Sequence, residues 1–179
     1  MEVSMIHLKG KLPTEISTIN THSRELMKFK NAELCIYSET PTLGMILREK
    51  GERVVLDYLV AWLISINEKL NVARPMPPNT LEECAFFIYQ NYPHLNMADI
   101  NLVFTRVLTG EGEKLYEGIS MAKVLKWFLD YNEERMLRGA ELSRVQHEKY
   151  ESEPRTMSDR ERNIRLGDIA GCFVNKKGN

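Results

Sequence analysis

Hydrophobic positions are densest between Glu52 and Asn71, where Val54, Val55, Leu56, Leu59, Val60, Trp62, Leu63, Ile64 and Ile66 leave few polar gaps. β-Branched residues are frequent there, but about 20 residues without a turn signal are too many for a strand and fit a helix buried on most sides. Around this central helix the pattern predicts others. Thr40 caps a short helix with Pro41 at its first position, where a missing N–H costs nothing, and Gly51 ends it. After the stiff segment from Arg74 to Asn79, Thr80 and Glu83 match a capping box. Leu81, Cys84, Ala85, Ile88 and Tyr92 then recur at helical spacing up to Pro93.

Asn96 caps the next helix. Met97, Ile100, Val103, Phe104, Val107 and Leu108 form its apolar stripe, and Asp99, Asn101, Thr105 and Arg106 fall opposite. Gly110 suits its C-terminal turn. Ser120 caps a long final helix with a predicted inward stripe of Met121, Val124, Leu125, Phe128, Tyr131 or Asn132, Met136, Leu137 and Ala140. Past Gly139 the apolar positions thin out among charges. Residues 1–38 are weakly patterned, with one candidate helix from Thr21 to Ala32. From Ser152 the composition shifts again. Ser158 and Glu161 match a second capping box, and Ile164, Leu166 and Phe173 are scattered. The expected fold is all-α: one compact bundle of five or six helices over residues 40–150, and a flexible tail over 152–179, partly helical or disordered until a partner orders it.

At 179 residues and 43% apolar content, one domain with a real core is affordable in size. A formal charge of −1 argues against a protein held on nucleic acid by bulk charge. Cys35, Cys84 and Cys172 are far apart and odd in number, so no disulfide framework is expected and a reducing cytoplasm is the natural compartment. The N-terminus lacks the basic-then-apolar layout of a signal peptide, and the run from Val54 to Ile66 is too short to span a bilayer; no membrane partner is expected.

A search for chemistry returns little. His7, His22, His94 and His147 show no metal-ligand spacing, so no metal or cofactor is expected. The stretch from Gly110 to Gly118 looks like a glycine-rich phosphate loop, but it follows a helix, lacks the Gly-Lys-Ser/Thr ending and carries Glu111, Glu113 and Glu117. No nucleophile motif occurs, and the adjacent pairs Glu82–Glu83 and Glu133–Glu134 diverge by about 100° on a helix. The remaining candidate surface lies at one end of the final helix pair. Arg106, Lys114, Tyr116, Lys123, Lys126 and Trp127 combine basic and aromatic side chains, with Tyr116 or Trp127 placed to stack on a base. The competing reading is a stapled connector with solvated lysines. In the tail, Arg160, Arg162 and Arg165 alternate with Asp159 and Glu161, a pattern that fits a self-paired helix face as well as a phosphate contact.

One resemblance bears on function. Ala98, Asp99, Ile100 and Phe104, then Gly110 through Ile119, then Trp127, Phe128, Tyr131 and Arg135 resemble the signature of small helical proteins of phages and mobile elements of gut bacteria. Thr40 to Leu43 and the long apolar helix fit the same pattern, so the likeness covers roughly residues 40–138. The chain departs from it in the loop, at Glu113, where small or basic residues are expected, and at Glu117 before Gly118. The resemblance implies a phage or mobile-element protein whose relatives look like accessory factors of replication modules, similar to helicase loaders and replisome organisers, and it supplies no mechanism. With no catalytic constellation and a near-neutral charge, the expected function is a non-enzymatic adaptor that binds a protein partner in a bacterial cytoplasm. Two alternatives stand beside it: a direct nucleic-acid-binding module, and a structural or cargo component of a phage particle.

Overall fold

A computed structural model describes residues 16–111 and 118–152. The chain divides into two units, Met1–Ala140 and Glu141–Asn179. Among the described residues there are seven helices: α1 (Ile16–Leu26), α2 (Ala32–Ile36), α3 (Leu43–Lys50), α4 (Glu52–Leu70), α5 (Pro78–Asn91), α6 (Met97–Thr109) and α7 (Met121–Ser152). Extended pairing is limited there to one isolated antiparallel bridge between Thr42 and Asn96. The fold is an all-α bundle, as the periodicity predicts. Five of these helices, α3 to α7, occupy the chain from residue 40 onward, within the expected five or six, and the weakly patterned N-terminal segment adds α1 and α2.

The central helix is where the apolar run puts it. α4 packs against α1, α3, α5 and α6, and Val55, Tyr58, Leu59, Trp62, Leu63 and Ile66 are buried. It starts at Gly51 and ends at Asn71 in the left-handed conformation (φ 44°). Trp62 stacks on Phe104 with centroids 5.2 Å apart; Phe104 meets Phe128 edge-on at 5.6 Å, and Phe128 stacks on Tyr92 at 5.9 Å. This aromatic row joins α4, α6, α7 and the end of α5, and each offset or edge contact adds to area burial.

Several local expectations are corrected. The cap of α3 is Thr42, whose Oγ1 accepts from the Met45 N–H at 3.2 Å. Thr40 instead accepts from the Ala98 N–H at 3.3 Å and tethers the start of α6. α5 begins at Pro78 behind Pro77 with no side-chain cap, so Thr80 and Glu83 lie within its first turns and form no capping box. The preceding segment is held by Asn67, whose side-chain amide donates to the Met76 carbonyl at 3.0 Å and accepts from the Met76 N–H at 3.2 Å. In the N-terminal segment the helix runs from Ile16 to Leu26, not from Thr21 to Ala32, and Ile19, Leu26, Ala32 and Cys35 join the core.

In the second unit the described residues continue the helical course of α7 to Ser152. Arg144 and Glu148 pair there at i, i+4 (3.2 Å), and Val145 and Tyr150 are exposed. Of the tail expected over 152–179, residue 152 ends α7 and residues 153–179 lie outside the described residues.

Candidate functional site

The site is built on α6 and the first part of α7. Asn96 opens α6 with a reciprocal box: its Oδ1 accepts from the Asp99 N–H at 2.9 Å, and the Asp99 carboxylate accepts from the Asn96 N–H at 2.8 Å. Asp99 is fully buried, contrary to its expected place on the polar face, and Asn101 is buried with it. A buried carboxylate persists only with partners. Asp99 has them in the Tyr131 hydroxyl, which donates at 2.5 Å, and in Arg135 Nε, 3.0 Å from both carboxylate oxygens. Asn96 Nδ2 donates to the Cys35 carbonyl at 2.8 Å, which ties α2 to the same network. Burial, followed by the Asp99 charge, pushes the Cys35 thiol up to about 12 and the Tyr131 hydroxyl well above its ordinary range. Both groups stay protonated at neutral pH, and a thiol is a nucleophile only as its thiolate.

Further along α6, Arg106 turns toward α7. Its Nη1 and Nη2 donate to the two oxygens of Glu134 at 2.5 and 2.9 Å, a bidentate fork. Nε lies 3.8 Å from Glu111, and the guanidinium carbon lies 5.6 Å from the centre of the Tyr131 ring. The hydrogen bonds to Glu134 raise the Arg106 pKa, and the same bonds lower that of Glu134. Beside this pair is a groove of about 330 Å³. Its apolar lining is Val103, Val107, Trp127 and Tyr131; its charged lining is Arg106, Glu111, Lys126, Asp130 and Glu134. Lys126 Nζ lies 3.0 and 2.8 Å from the two Asp130 oxygens. Two cations therefore face three carboxylates.

Gly118 lies against the segment that follows α4. A Cβ there would stand 2.7 Å from the Arg74 carbonyl oxygen, and the neighbouring Ile119 N–H donates to that oxygen at 3.1 Å. Glycine is needed for this approach. At the end of α6, Gly110 is left-handed (φ 79°), as its position predicts. Ser120 accepts from the Lys123 N–H at 3.4 Å, and Lys123 Nζ donates to the Gly118 carbonyl at 3.2 Å.

Of the residues singled out from sequence, Arg106, Lys126 and Trp127 line the groove, and Lys123 fastens the start of α7. Lys114, Tyr116, Arg160, Arg162 and Arg165 lie outside the described residues. Sequence reasoning missed Glu111, Asp130 and Glu134 as members of the site. Asp130 had a legible signal, since it stands i+4 from Lys126. Glu134 had none, because its partner Arg106 is on another helix. Phe104 is held between Trp62 and Phe128, and the Trp127 indole is half-buried at the groove.

A second cavity, about 180 Å³, lies at the join of α1 with the segment before α3, with His22, Glu25, Phe29, Glu39 and Met97 among its lining. Among the described residues no cluster of three or more His, Cys, Asp or Glu is set to hold a metal ion, and no helix is long and apolar enough to cross a membrane. Large apolar side chains are exposed at Phe86 and Phe87 of α5 and at Leu129, Met136 and Leu137 of α7. Comparison with protein-family models, with curated proteins and with solved structures finds no match to this chain.

Proposed function

We propose that this chain is a non-enzymatic adaptor of a phage or mobile element, acting in the cytoplasm of a bacterial host by binding a protein partner, in the manner of a replication accessory factor. The origin and the process rest on the resemblance carried by residues 96–138. The mode of action rests on one observation: the described basic residues at the end of the helix pair are already engaged within the chain. Arg106 is shared between Glu134 and Glu111, Lys126 is on Asp130, and Lys123 is on the Gly118 carbonyl. Binding a polyanion takes protein cations that neutralise its phosphates and release the counterions condensed on it. A groove of mixed charge with a half-buried Trp127 suits the side chains of a protein instead, since Trp, Tyr and Arg are the residues on which protein interfaces concentrate their energy.

The test is affinity capture of the full chain from infected or expressing bacterial cells, with and without nuclease. The expected result is one protein retained in equal amount in both arms. Capture abolished by nuclease would instead make this a nucleic-acid-binding module, and co-purification with particles alone would make it a virion component.

A further inference from the structure

We propose that the groove between α6 and α7 receives a basic–apolar segment of the partner protein, an arginine or lysine next to a large apolar side chain; this rests on the adaptor reading above. The first argument is size. A volume of about 330 Å³ is at the small end of ligand pockets, room for one or two large side chains and too little for a folded element.

The second argument is sign. Arg106 spends its fork on both oxygens of Glu134, and Lys126 faces both oxygens of Asp130. An incoming anion would meet two cations already neutralised by Glu134 and Asp130, and the Glu111 carboxylate in excess. An incoming cation meets the reverse. Each carboxylate oxygen has acceptor capacity beyond one hydrogen bond, and the side chains of Glu111, Asp130 and Glu134 are 65%, 56% and 45% exposed. Glu111 is the most exposed of the three: its Oε1 accepts from the Thr109 hydroxyl at 3.4 Å, and its other oxygen, 3.8 Å from Arg106, makes a charge contact and not a hydrogen bond. The third argument is the indole of Trp127, which offers an apolar face and a cation-attracting ring in one side chain.

The experiment is selection of a random peptide display library on the full-length protein, followed by affinity measurement of the winners on three proteins: the parent, Glu111→Lys and Trp127→Ala. Thermal melts of both variants establish that they fold. The expected winners carry Arg or Lys beside Leu, Met, Phe or Trp, bind at least tenfold more weakly to each folded variant, and weaken as salt rises. Winners that are acidic or uncharged would overturn the proposal. So would basic–apolar winners that bind both variants as tightly as the parent, a library that yields no binder, or an oligo-dT strand whose binding to the protein is lost in Trp127→Ala. Winners unaffected by either variant place the docking surface elsewhere and leave the adaptor reading to the capture experiment, which fails separately.

Discussion

His22 on α1 has its Nε2 3.3 Å from the Tyr58 hydroxyl, with the two rings edge-on at 5.8 Å. Tyr58 is fully buried in α4, and burial drives its pKa above the ordinary phenol range. Burial is also the larger influence on His22 and lowers its pKa from 6.5, while the nearby Glu25 charge works in the opposite direction. The sign follows from proton linkage. The unfolded chain takes up a proton at 6.5, before the folded chain does, so falling pH favours unfolding through the window between 6.5 and the lower folded value. Above pH 6.5 the contribution is fully present; below the folded value it levels off. His22→Gln removes the titration and keeps a polar side chain. Chemical denaturation of the parent and of this variant across pH 8 to 5, subtracted, should give a difference that is flat above pH 6.5 and falls below it. A difference that stays flat throughout would show that His22 titrates alike in both states.

α7 is the element in which apolar periodicity and structure part company. Through Val124, Phe128 and Tyr131 the predicted stripe faces the core. One turn later the inward positions belong to Arg135, on Asp99, and Arg138, on Glu33, while Met136 and Leu137 are 60% and 75% exposed. The reversal has a physical cause. Asp99 is committed to the interior by its reciprocal bond with Asn96, and a buried carboxylate demands a cation, so α7 presents one where an apolar residue would otherwise sit. Arg135→Met should therefore cost about 3–5 kcal/mol, the consequence of leaving a buried charge without its partner. Met136→Gln should change stability by less than about 0.5 kcal/mol. Urea titrations of the two variants decide the matter, and a larger loss for Met136→Gln would restore the periodic reading. The same comparison marks what a sequence can disclose. The length of α4, the cap at Asn96 and the turn at Gly110 are local signals carried by adjacent residues. The Arg106–Glu134 fork, the Asp99–Arg135 pair and the depth of α1 depend on partners 28 to 36 positions away, as His22 and Tyr58 illustrate, and no local pattern encodes them.

Across the whole molecule, the buried side chains among the described residues run from Ile19 to Tyr131. The aromatic row from Trp62 to Tyr92, the Asp99 network and the α6–α7 groove all belong to this span, within the unit Met1–Ala140. Apolar burial of this kind is the main source of favourable free energy for folding. A chain ended at Tyr150 keeps all of it and loses Arg160, Arg162 and Arg165 together with the scattered apolar positions around them. It should therefore retain the helical circular-dichroism spectrum of the parent and melt within about 2 °C of it, since a loss of 1 kcal/mol in a domain of this size moves the midpoint by about 2–4 °C. It should also bind the groove-selected peptides with parental affinity, because every residue argued to hold them precedes Ala140. If the shortened chain aggregates or melts well below the parent, Ile164, Leu166 and Phe173 contribute to the core and the boundary near residue 152 is misplaced. If it folds but loses the peptides, the tail arginines or their apolar neighbours take part in recognition, and the charge argument for the groove has to be made again with them included.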